Sequence, residues 1–76
     1  VFLNNEYEVT IASDVSNGRD GIGVEIYFKG KLILEIFRDD TKKSREVTSY
    51  DKDIPLEVVE ASIELFKKEI PWDFQD

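Results

Sequence analysis

The sequence predicts an α+β fold: an antiparallel four-stranded meander, in the order 1-2-3-4, with one C-terminal helix packed on one face. Three observations predict it. Residues 6–11 and 22–37 carry apolar and polar side chains with the two-residue period of half-buried strands. Residues 55–69 switch to a helical period between two prolines, Pro55 and Pro71. The connections between these segments are short, which sets consecutive strands side by side and antiparallel.

Taken in order, Tyr7, Val9 and Ile11 alternate with Glu6, Glu8 and Thr10, giving the first strand. Residues 1–3 either extend it backward or form a separate short strand turned at Asn4-Asn5. Residues 13–20, SDVSNGRD, are a loop with Asn17-Gly18 as its natural turn. Residues 21–38, GIGVEIYFKGKLILEIFR, form a hairpin whose apolar face carries Ile22, Val24, Ile26, Leu32, Leu34 and Ile36. A two-residue loop at Lys29-Gly30 would set Ile26 opposite Ile33 and throw the second apolar set onto the wrong face. A three-residue loop, Phe28-Lys29-Gly30, with a bulge and a left-handed Gly30, removes that conflict.

Residues 39–44 make a polar turn, and residues 45–50, REVTSY, make an edge strand that buries little besides Val47, or Tyr50 from the opposite face. Lys42, Lys43 and Arg45 discourage other strands from pairing there. The helix spans residues 55–69, with Pro55 at its first position, Asp53 and Glu57 near its positive end, Lys67 and Lys68 near its negative end, and Pro71 stopping it. Its apolar residues form two neighbouring stripes, Leu56, Val59, Ile63, Phe66 and Ile70 beside Val58, Ala61 and Leu65. That arc is wider than one sheet needs, so a second body should cover its margin: the PWDF tail, the N-terminal VFL segment or another subunit.

Composition narrows function. The 76 residues form one small domain, 1–76, with a thin core. With no Cys and no His, the chain lacks disulfides, thiolate metal sites, the commonest metal ligand and the usual general base. A non-enzymatic protein without cofactor or metal is the expectation. Seventeen acidic against ten basic residues give a net charge of −7, which argues against direct nucleic-acid or membrane binding and for a basic protein partner. No apolar run is long enough to span a membrane and no signal-peptide pattern opens the chain, so a cytoplasmic location is expected. The absence of Met at position 1 suggests a trimmed or processed chain.

Two surfaces stand out as candidate partner sites. Asp53, Glu57, Glu60 and Glu64 recur every three or four residues without an intervening base. They are either a plain solvated helix face or a docking surface for a basic partner. Tyr27, Ile33 and Phe37 share the hairpin face away from the core, with Glu25 and Glu35 among them. Either the tail folds over this face through Trp72 and Phe74, or it is a site of partner binding or homodimerisation. Asp14, Ser16, Asn17 and Asp20 miss the spacing of a calcium loop, Asp39-Asp40 has no matched second catalytic group, and the GIG glycines enter a strand rather than a helix. The expected function is an inhibitor or immunity-type protein docking on a basic site of an enzyme or toxin, with DNA mimicry as a narrower form. The alternative is a structural or assembly protein that self-associates through the apolar sheet face or the helix margin.

Overall fold

A computed structural model describes residues 3–16 and 18–75. Strands β1 (Tyr7–Asp14), β2 (Gly21–Phe28), β3 (Lys31–Asp39) and β4 (Ser44–Ser49) precede helix α1 (Leu56–Glu69). The four strands form one antiparallel sheet in the order β1-β2-β3-β4, the expected meander. None of the described helices is long and apolar enough to cross a membrane.

The turn before β1 is tied by Asn4, whose side chain accepts from Glu6 N at 2.8 Å while its carbonyl accepts from Tyr7 N. Leu3 has φ 57°, so the backbone does not run straight back from β1; the expected strand extension otherwise falls on Val1 and Phe2, outside the described residues. Asn17 also lies outside them. Beyond β1, the Asp14 carboxylate accepts from both Ser16 N and Ser16 Oγ, and Gly18 follows at φ 75°.

The central hairpin keeps Val24, Ile26, Leu34 and Ile36 on the predicted face by a different route, but Leu32 pairs with Tyr27 on the opposite face and Ile33 takes its place in the core. Its loop is the two-residue Lys29-Gly30, with φ 50° and 81°, the double positive signature of a type I′ turn. The register conflict disappears inside β3 instead: Tyr27 pairs with Leu32 and Ile26 with Leu34, so Ile33 is the extra residue of a bulge. Beyond it Val24 lies opposite Ile36, as the apolar pattern requires. The parity argument was sound in demanding one extra residue; the I′ turn matches strand twist better than a type I turn, which moves that residue out of the loop.

Val24, Ile26, Leu34 and Ile36 form the core floor, closed by Val58, Phe66 and Ile70, each no more than 4% exposed. Pro55 is the N-cap rather than the first helical residue: its ψ of 140° is extended, and its carbonyl accepts from Val58 N and Val59 N. The centre of the buried helix face is Val58, Ser62 and Phe66, and Ser62 Oγ donates to Val58 O at 2.6 Å. Because α1 lies over β2 and β3 only, the outer apolar stripe is left uncovered: Leu56 is 66% and Ile63 37% exposed.

The tail covers part of that margin. Arg38, on the helix side of β3, donates to Pro71 O at 2.7 Å and grips Asp40 through two hydrogen bonds, while Asp40 Oδ1 accepts from Gln75 N. Arg45, directly opposite Arg38, donates twice to Trp72 O and stacks 3.8 Å from the Trp72 ring and 4.3 Å from the Phe74 ring. Trp72 meets Phe66 edge-on. The tail therefore lies on the helix side of the sheet, not over Tyr27, Ile33 and Phe37 as one expectation had it. Arg45 also does more than protect an edge, since it fixes the chain end in place.

Candidate functional site

Helix α1 positions the first candidate. With Val58, Ser62 and Phe66 turned to the sheet, Glu57, Glu60 and Glu64 stand on the opposite side, and all three are exposed. Asp53, also exposed, precedes the helix at φ 56° and so belongs to its approach rather than to its face. Among the described residues none of these four carboxylates makes an ion pair within 4 Å or a side-chain hydrogen bond. Lys67 and Lys68 are exposed at the far end and pair with none of them. The stripe is open, with Lys67 and Lys68 one turn beyond Glu64 at its C-terminal end.

The second candidate is closed where exposure was expected. Ile33 is 4% and Phe37 2% exposed, and only Tyr27 is half-open. Ile33 joins the core cluster as the bulge residue. Phe37 lies opposite Gly23, and the Arg19 guanidinium sits 3.7 Å above its ring. Arg19 also donates to Glu35 at 3.0 Å and lies 3.6 Å from Asp14. The hydrogen bond to Glu35 pushes the Arg19 pKa further up, so its charge is fixed at any working pH. Sequence reasoning placed Arg19 in a loop and missed that this loop reaches back over the sheet.

What remains of that face is acidic. The register sets Glu8 beside Tyr27, and Glu25 between Thr10 and Glu35, with Thr48 beyond. Two like charges directly opposite each other, Glu25 and Glu35, destabilise a sheet unless compensated. Arg19 compensates Glu35, and Tyr27 Oη donates to Glu25 at 3.1 Å, which raises the Tyr27 pKa.

No grouping of three potential metal ligands occurs among the described residues. Asp39 and Asp40 are not a working carboxylate pair. They are adjacent on a strand end, so Asp39 caps the following turn, accepting from Thr41 N and Lys42 N, while Asp40 holds Arg38. One site was not foreseen: a pocket of about 130 Å³ between α1 and β4, lined by Ile36, Arg45, Val47, Ile63, Phe66, Lys67 and Trp72. Its signal in the sequence was the over-wide apolar arc of the helix. No protein-family model, curated protein or solved structure matches this chain.

Proposed function

We propose that this chain is a small acidic binding protein without catalytic activity, of inhibitor or immunity type, that docks on a basic site of a protein partner. The observation that supports this reading is the exposed Glu57, Glu60 and Glu64 stripe, which forms no ion pair within 4 Å among the described residues and is carried on α1. A net charge of −7 on 76 residues steers such a chain toward a basic surface. The absence of a spanning helix among the described residues fits a cytoplasmic setting for that partner.

The test is the triple variant Glu57→Gln, Glu60→Gln, Glu64→Gln, which keeps side-chain size and helix propensity. Folding should change little, because exposed charges contribute little to stability. For a partner recovered from the native host, the association rate should fall and lose most of its salt dependence. Association kinetics equal to those of the unaltered protein would refute the stripe as the docking surface.

A further inference from the structure

We infer that the pocket between α1 and β4 is a binding site for a small aromatic carboxylate, with the ring held inside and the carboxylate at Arg45 and Lys67. The walls are apolar: Ile36 and Val47 from the sheet, Ile63 and Phe66 from the helix, and Trp72 from the tail. The volume of about 130 Å³ is close to the roughly 150 Å³ of an apolar protein cavity that takes up benzene. One six-membered ring fits. Phe66 and Trp72 meet edge-on with centroids 6.4 Å apart, so the wall offers the tilted contacts that aromatic rings prefer.

Charge decides the rest of the ligand. The remaining lining residues are both cations, Arg45 from β4 and Lys67 from α1. Arg19 and Arg38 each hold a carboxylate, but among the described residues neither Arg45 nor Lys67 has one within 4 Å. Arg45 donates Nε and Nη2 to the uncharged Trp72 carbonyl, which leaves both hydrogens of Nη1 without an acceptor among the described residues. Lys67 is exposed, so its apolar stem lines the pocket while its ammonium stays in water at the mouth. An anion joined to an apolar body completes this arrangement: a carboxylate accepts from the planar guanidinium and takes the lysine as a second counter-charge. A neutral or cationic ligand would leave both charges unmatched.

The size of the cavity and the net charge of −7 favour a free small molecule over an acidic segment of another protein, which this chain would repel at long range. Glu57, Glu60 and Glu64 do not line the pocket, so this site is separate from the proposed docking surface and does not depend on it.

Phenylacetate is the probe, and Trp72, the single tryptophan of the chain, is the reporter. Titration into the unaltered chain should change Trp72 fluorescence saturably, with half-saturation at about 1 mM or below. Phenylacetamide, which keeps the ring and the shape but not the charge, should bind about tenfold more weakly. Lys67→Gln should reduce the affinity for phenylacetate about threefold or more and leave that for phenylacetamide unchanged, with an unaltered circular dichroism spectrum because Lys67 is exposed. Amide chemical shifts should move at Val47, Ile63 and Lys67 and stay fixed on β1. The absence of any saturable change in fluorescence and amide shifts up to about 10 mM, equal affinity for the two compounds, or a Lys67→Gln variant that keeps the full preference for phenylacetate would each overturn the proposal.

Discussion

Gly23→Ala should be among the most damaging single-methyl changes this chain can suffer. Gly23 is buried on the face of the sheet away from α1, opposite Phe37. A Cβ there would overlap the Ile36 carbonyl oxygen and lie 2.8 Å from Phe37 Cα and 3.1 Å from the Ile36 carbonyl carbon, all backbone atoms that no rotamer change can move. Ordinary carbon contacts need about 3.5 to 4.0 Å, so β2 and β3 must part by roughly 1 Å, against a ladder spacing of about 4.8 Å. Overpacking of this kind costs about 1 to 3 kcal/mol, and the upper end applies because the strain falls on the two central strands. The loss of glycine flexibility in the unfolded chain returns at most about 1 kcal/mol. A domain of this size has a total stability of about 4 to 11 kcal/mol. A net loss of about 2 kcal/mol lowers Tm by about 8 to 16 °C. Urea titration and thermal melting followed by circular dichroism would measure it. A change below about 0.5 kcal/mol would mean that the close approach of β2 and β3 at this row is not a constraint on the sequence.

Two further outcomes test the hairpin and the tail. Lys29→Asn should stabilise the fold by about 0.5 kcal/mol, since Asn tolerates the left-handed conformation of the first I′ position better than Lys, and the exposed Lys29–Glu6 pair at 3.4 Å contributes little; a lower urea midpoint would refute the assigned turn. Hydrogen bonds from Arg38, reinforced by the Gln75 amide, hold the Asp40 carboxyl below its usual range. Its contribution is therefore present above the unfolded value of about 3.9 and is lost as pH falls through the lower folded value. Asp40→Asn should flatten the acid side of the stability profile, and an unchanged profile from urea midpoints between about pH 2 and pH 6 would refute the linkage.

The sheet order, the core positions Val24, Ile26, Leu34, Ile36, Val58, Phe66 and Ile70 and the extent of the helix could be read from periodicity and the two prolines, because alternation fixes faces before any contact is known. The bulge at Ile33 could be inferred only as an extra residue somewhere in the hairpin, since apolar runs such as Leu32-Ile33-Leu34 do not say which member is extra. The buried Ser62 escaped because a serine in a helix reads as a polar position, although its hydroxyl can satisfy itself on the carbonyl one turn back. The burial of Phe37 escaped because its cover, Arg19, comes from a loop whose path no local pattern encodes. The helix carboxylates were found by spacing alone, and their orientation followed once the buried face was known.

The use of the cations decides where the net charge is felt. All three arginines are committed internally: Arg19 over Phe37 and Glu35, Arg38 between Asp40 and Pro71, and Arg45 between Trp72 and Phe74. Planar guanidinium groups suit these stacked and forked positions, which lysine would fill poorly. Lys29, Lys31 and Lys42 lie within 4 Å of Glu6, Asp51 and Glu46, around the sheet rather than the helix. The ion pairs are thus not spread evenly. Helix α1 holds four acids against Lys67 and Lys68, and Glu57, Glu60 and Glu64 form no ion pair within 4 Å among the described residues. At physiological ionic strength screening acts over about 8 Å, so on the proposed reading a basic partner would respond to the local group Glu57, Glu60 and Glu64 more than to the total of −7.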